Sequence, residues 1–279
     1  MARQSRSALS RFRDGDQAWW ETSISDAQPG RIILRGRPIE DLIGSISYAG
    51  IVGLLVTGRV LSPSQAALLE ASLVAGVDHG VRAPSIAAAR MAATCGVTLN
   101  SAVATGMNLL GDHHGGAGEQ CMELLYRVVE EAGERAGPDP ALDDLADAAV
   151  RATTGQGRNV PGFGHQLHRL DPRRAPLVRL VERAISEGEL SGAHLAAALA
   201  IERALSRTKR RELAMNVDGA TAVIHCELGF PPAAAKGLFC LSRGVGLVAH
   251  AVEERQSGSL IKGPCPPDAD LVRYTGPTP

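Results

Sequence analysis

The segment Val160-Pro161-Gly162-Phe163-Gly164-His165 is followed by His168 and by Asp171-Pro172-Arg173, which gathers backbone freedom and ligand-holding side chains into one short stretch. Two glycines around Phe163 let a loop wrap a ligand through its backbone. A histidine and an arginine close behind can hold a carboxylate, and the planar guanidinium suits that task because it binds both oxygens at once. The same residues also fit a solvent loop leading into an Asp-Pro helix start.

Two further clusters flank this segment. Upstream, Gly111-Asp112-His113-His114-Gly115-Gly116-Ala117-Gly118-Glu119 places two histidines where an uncharged, Ala- and Gly-rich stretch meets a glycine turn. Such a turn brings an imidazole and backbone N–H groups close to a ligand, and it also fits a helix end with a hydrogen-bonded histidine. Downstream, Asn216-Val217-Asp218-Gly219 opens a helix, and an aspartate there commonly serves as a cap.

The rest of the chain reads mostly helical. Arg31 to Arg37 predicts a short strand after a Pro29-Gly30 turn. Helices are expected from Ile39 onward: either side of Gly44-Ser45, from Ser62-Pro63, as one long helix over 85–110, and over 119–134, 173–185 and 191–207. Others start near Asn216 and at Pro231-Pro232. Gly133 to Pro140 and Gly155 to Gly164 read as loops. Of the 279 residues, 44% are hydrophobic, 21% charged and only 3% aromatic, which favours close-packed helices over a β-sandwich. A formal net charge of -1 argues against nucleic acid or an anionic membrane as partner. The Met91 to Gly111 stretch carries too many Thr, Asn and Ser side chains for a membrane span. Five cysteines without a CxxC pair suit a reduced, cytoplasmic protein. The basic N-terminus lacks the apolar core of a secretory signal, and residues 1–14 are expected to be disordered.

The order of these clusters resembles the citrate synthase family, whose motifs run H-G-x-A, V-P-G-[YF]-G-H with D-P-R, N-V-D and S-R-x-x-G. Here they are His114-Gly115-Gly116-Ala117, Val160 to His165 with Asp171-Pro172-Arg173, Asn216 to Asp218, and Ser242-Arg243-Gly244-Val245-Gly246. Leu34 to Leu42 is similar to the family as well. The resemblance implies an all-α citrate synthase-like fold with a short N-terminal β segment. It implies a large helical domain (1–116 and 227–279) carrying an inserted small helical domain (117–226).

The resemblance also implies site roles. His114, His165 and Asp218 are the catalytic residues it points to. His79, Arg173, Arg243 and Lys262 would bind the substrate carboxylates. Arg158, Val160, Pro161, Gly162, Phe163 and Gly164 would bind coenzyme A. The thioester is a substrate, and neither a tightly bound cofactor nor a metal is called for. The expected assembly is a homodimer or a higher even homo-oligomer, because the family's partner-donated arginine aligns with Lys262.

The chain is shorter than a typical citrate synthase, with helices missing between Leu61 and Asp78. The family's D-H-E-x-N-x-S is here Asp78-His79-Gly80-Val81-Arg82-Ala83-Pro84-Ser85. These departures point to a citryl-CoA lyase-type enzyme, with a compact citrate or 2-methylcitrate synthase as the alternative. Two remoter readings are a non-catalytic acyl-CoA-binding regulator and, from Asp112-His113-His114, a metal phosphoesterase of the DHH type. The retained histidines and aspartate weigh against the first. The helix before the motif weighs against the second.

Overall fold

At Pro29-Gly30 the chain reverses, with Gly30 at φ +76°, and joins two antiparallel strands, β1 (Ser25–Gln28) and β2 (Arg31–Leu34). Residues Arg31 to Arg37 do not form one strand. Arg35 (φ +48°) and Gly36 (φ +79°) make a second two-residue turn into β3 (Arg37–Pro38), because two successive positive φ values match the twist of a hairpin. The computed structural model describes residues 20–133, 140–164, 170–266 and 271–277, so the expectation of disorder over 1–14 lies outside it.

Two units are distinguished, residues Met1–Leu61 and Ser62–Pro279. The first holds the three-stranded sheet, α1 (Ile39–Leu42) and α2 (Tyr48–Thr57). Ser47 caps α2 by accepting from the Gly50 N–H.

The second unit carries every described candidate site residue. It begins with α3 (Pro63–Gly76), which opens on a full capping box between Ser62 and Gln65. The stretch expected as one helix over 85–110 is two, α4 (Pro84–Thr94) and α5 (Leu99–Met107). Gly96 at φ +80° breaks it, a conformation no helix interior accepts. Then follow α6 (Ala117–Ala132), α7 (Pro140–Thr154), α8 (Arg174–Ser186), α9 (Ala193–Lys209), α10 (Val217–Glu227), a 3-10 turn (Pro232–Ala234) and α11 (Ala235–Gln256). The fold is therefore all-α with a short N-terminal β segment. Among the described residues no helix is long and apolar enough to cross a membrane.

Small residues set the packing, as the low aromatic content suggests. Helices α4 and α5 pack on α11 through Ala83, Ile86, Ala89 and Leu247, and through Ala93, Ala102 and Ala251. A Cβ on Gly106 would stand 2.7 Å from the Ser85 carbonyl oxygen, so only glycine lets α5 lie this close to the start of α4. Helices α6, α7, α9 and α10 pack on one another, and α10 also meets α3 and α8. Cys121 and Cys226 are buried in this part, as core thiols should be, whereas Cys95 is exposed.

Candidate active site

The loop from Val160 and the start of α10 form one stitched unit. Phe163 pairs antiparallel with Met215, the Gly164 N–H donates to the Ala214 carbonyl at 2.9 Å, and the Asn216 N–H donates to the Gly162 carbonyl at 3.0 Å. Asn216 then works in two directions. Its Oδ1 accepts from the Asp218 and Gly219 N–H groups at 2.9 and 3.2 Å, capping the helix, and its Nδ2 donates to the Gly164 carbonyl at 2.7 Å. A Cβ on Gly219 would stand 2.3 Å from the Gly162 oxygen, so glycine after Asp218 is what permits the contact. Val160 is buried beneath this joint, Pro161 to Gly164 follow along it, and Arg158 stays exposed with Nη2 on Gln156 Oε1 at 2.5 Å.

Asp171 ties the Asp-Pro-Arg segment to the same helix. It is buried and takes Arg173 Nε and Nη2, each at 2.8 Å, as well as the Arg173 and Val217 N–H groups at 3.0 and 2.9 Å. Burial works against its charge, but the Arg173 hydrogen bonds and charge, with the Val217 N–H, hold the carboxyl down at about 2. The remaining face of Arg173 reaches the Ala75 carbonyl at 3.3 Å.

Arg243 arrives from α11 at the same place. It is buried, donates from Nε to the Gly76 carbonyl at 3.1 Å, and lies 4.9 Å from the Phe239 ring centroid. The two guanidiniums thus share the last carbonyls of α3, where unsatisfied oxygens and the helix dipole favour cations. Their positive charges sit close enough to oppose each other and to act on Asp218. That arrangement suits a ligand with more than one carboxylate.

His114 is held by α4. The turn closes by paired hydrogen bonds between Gly111 and His114, with Gly115 at φ +91°. Its Nε2 accepts the Ser85 N–H at 3.3 Å and lies 2.9 Å from Ser85 Oγ. A ring nitrogen that accepts a backbone N–H carries no proton, so Nδ1 carries it and is the donor. Burial, then the charge of Arg243, lowers the His114 pKa, which keeps the ring neutral. Asp218, in the first turn of α10, has its pKa raised. Burial is the main cause, and Asp171 adds to it while Arg173 and Arg243 oppose it.

The structure therefore brings His114, Asp218, Arg173, Arg243 and the 160–164 loop into one region. His165 lies outside the described residues. His79 sits in the turn after α3, where Asp78 accepts the Gly80 N–H at 3.0 Å and contacts His250 Nε2 at 3.2 Å. This turn rests on Gly246, whose Cβ would stand 2.2 Å from the Val77 carbonyl. Lys262 is not beside His114 or Asp218 in this chain. Its Nζ pairs with the buried carboxylate of Glu254 at 3.2 Å, about 16 Å along α11 from Arg243 at the usual helix rise. Ser85 and Asp171 received no role from the sequence, although both stand inside quoted motifs.

Three comparisons place this geometry among known proteins. A family model described as citrate synthase, C-terminal domain, matches residues 60–263. The citrate synthase of Deinococcus radiodurans is 26% identical over 255 residues, 91% of this chain and 61% of that protein, so the chain spans about three fifths of that relative. The structure of citryl-CoA lyase from Hydrogenobacter thermophilus is 32% identical with a TM-score of 0.80, covering 94% of this chain and 96% of that one. ATP citrate lyase from Methanothrix soehngenii, solved in complex with citrate and coenzyme A, is 24% identical with a TM-score of 0.79 over 98% of this chain and 44% of that chain, a likeness of fold. On the family match across residues 60–263, the chain belongs to the citrate synthase family.

Proposed function

We propose that the protein is a citryl-CoA lyase-type enzyme that cleaves citryl-CoA, or a close analogue, to acetyl-CoA and oxaloacetate. The observation that carries this reading is the pairing of a neutral His114, with its proton on Nδ1, and an Asp218 whose pKa is raised. Cleavage breaks the bond between the carbinol carbon and the thioester α-carbon. In this reading His165 takes the hydroxyl proton as the ketone forms. The bonding pair moves into an enolate whose oxygen receives the His114 Nδ1 hydrogen bond, and a protonated Asp218 returns a proton to the α-carbon. Arg173, Arg243 and His79 hold the carboxylates of the oxaloacetate half. The 160–164 loop and Arg158 receive coenzyme A, which is a substrate and not a resident cofactor. The lyase direction is favoured by the 32% identity and TM-score of 0.80 with the Hydrogenobacter thermophilus lyase structure.

Residues 117–226 would then move as a small domain over the remainder and exclude water from the site. Lys262, held away from Asp218 in its own chain, would serve the site of a second subunit in a homodimer or larger even assembly. A cytoplasmic enzyme fits this substrate class. The alternative is a compact synthase that condenses an acyl-CoA with a 2-oxo acid, favoured by the likeness to the Deinococcus radiodurans protein. One preparation decides between them: oxaloacetate release from citryl-CoA is measured against free citrate release from acetyl-CoA plus oxaloacetate. Faster cleavage is expected, and equal or faster citrate release would make the chain a synthase.

A further inference from the structure

One face of α11 fixes the connection between α3 and α4. Arg243 donates to the Gly76 carbonyl, Gly246 lies against the Val77 carbonyl, and His250 Nε2 lies 3.2 Å from Asp78 Oδ1. These helix residues follow at intervals of three and four, so they stand above one another on the same side. In turn they hold residues 76, 77 and 78, and the next residue is His79.

His250 is oriented from its other edge. Arg90 of α4 donates from Nη1 to His250 Nδ1 at 2.9 Å, and Arg90 is itself held by the carboxylates of Glu253 and Glu254. A ring nitrogen that faces a guanidinium donor carries no proton, so the proton sits on Nε2 and points at Asp78. Glu254 is buried and also takes Lys262 Nζ, which anchors the far end of these contacts.

Asp78 passes the hold to the turn. Its Oδ2 accepts the Gly80 N–H at 3.0 Å. Burial works against the Asp78 charge, but the Gly80 N–H, His250 and the His79 N–H outweigh it and hold the carboxyl below the ordinary aspartate value. The carboxylate therefore joins the His250 ring to the backbone that carries the His79 side chain. An ion-pair cluster that merely fastened α4 to α11 would need only Arg90, Glu253 and Glu254. The contact from His250 to Asp78 leaves that cluster and ends on the turn.

We propose that His250 is a positioning residue for the oxo-acid half of the substrate: through Asp78 it sets the turn that presents His79 to a carboxylate. The inference rests on the reading in which His79 holds a carboxylate of oxaloacetate. His250 itself touches no substrate and exchanges no proton. Its part is to keep the His79 imidazole in one place, so that binding does not have to order it.

The test is a set of variants assayed in the condensation of acetyl-CoA with oxaloacetate. His250→Leu removes the donor at similar volume, and His250→Gln keeps an N–H where Nε2 stands. His250→Leu should raise the KM for oxaloacetate by about tenfold, the effect of losing one hydrogen bond to a charged group, with kcat and the KM for acetyl-CoA within about threefold of wild type. His250→Gln should keep the oxaloacetate KM within about threefold of wild type. In a His79→Ala background His250→Leu should add no further rise, because the residue it acts through is gone. An unchanged oxaloacetate KM in His250→Leu overturns the proposal. So does an equal rise for both substrates, the same rise in His250→Gln, or the full rise persisting in the His79→Ala background. If His250→Leu does not fold, Asp78→Asn keeps an acceptor for the Gly80 N–H and turns an amide N–H toward His250. The same selective rise is then expected, and a wild-type KM overturns the proposal. If the wild type turns over neither citryl-CoA nor acetyl-CoA with oxaloacetate, the lyase-type reading itself fails. Calorimetric titration with oxaloacetate then decides the role of His250 alone. Binding weakened about tenfold in His250→Leu and kept in His250→Gln supports it. Equal binding by all three proteins, or none by the wild type, overturns it.

Discussion

His114 Nε2 accepts the backbone N–H of Ser85 at 3.3 Å, a contact that joins the glycine turn after α5 to the first turn of α4. It fixes the tautomer, because the nitrogen facing a backbone donor cannot itself carry a proton. It also discourages protonation, since a charged ring would lose this acceptor while facing Arg243. His114→Ala should lower cleavage by about 10²–10³-fold, the usual effect of removing an oxyanion donor. Binding of coenzyme A, followed by calorimetry, should change little. Turnover near wild type would remove His114 from enolate stabilisation.

Asp218 should set the pH dependence of cleavage. Its folded pKa lies above the ordinary carboxyl value, mainly through burial. In the proposed mechanism cleavage uses the protonated form, so its rate should fall as pH rises through that pKa, whereas condensation would use the carboxylate and should rise over the same interval. Parallel pH–rate profiles in the two directions check the sign. Asp218→Asn should lower both rates by about 10²–10⁴-fold while leaving thioester binding within about tenfold.

Asp171 should make the fold acid-sensitive. Its folded pKa of about 2 lies below the ordinary aspartate value of 3.8, so its contribution is fully present above about pH 4 and is lost as pH falls toward 2. The side chain is fully buried, and the shift corresponds to about 2 kcal/mol. Asp171→Asn should lower the unfolding midpoint at neutral pH and flatten its decline between pH 4 and 2. It should also raise the KM for citryl-CoA, because Arg173 loses the carboxylate that aims it. An unchanged midpoint at both ends of that range would contradict the assignment.

Gly219→Ala should damage the site from beneath. The new Cβ would stand 2.3 Å from the Gly162 carbonyl oxygen, and backbone lies on both sides of the contact. The 160–164 loop and α10 would have to part, breaking the Asn216 to Gly162 hydrogen bond. We expect a loss of about 1–3 kcal/mol, as for overpacking elsewhere, with a fall in kcat because Asp218 moves. Chemical denaturation and steady-state kinetics on the same variant measure both.

Much of this was legible in residue order. Pro and Gly at Pro29-Gly30, Ser62-Pro63 and Pro231-Pro232 mark element boundaries by local chemistry alone: the first is the turn between β1 and β2, and the other two lead into helices. The break at Gly96 is not legible in residue order, because an isolated glycine in an Ala-rich stretch leaves helix and turn close in energy, and the packing of α4 and α5 on α11 decides between them. The family motifs likewise named His114, Arg173, Asp218 and Arg243 without saying how they meet.

What the sequence determined by itself is the helical class, the family and the residue types at the site, because capping, glycine conformations and motif spacing are local properties. Tertiary structure alone decided which nitrogen of His114 is the donor, that Asp171 aims Arg173, and that Arg173 and Arg243 share the final carbonyls of α3. Each of these depends on burial, or on backbone groups far apart in the chain. Pattern along a sequence carries neither the distance between such groups nor the water excluded from between them.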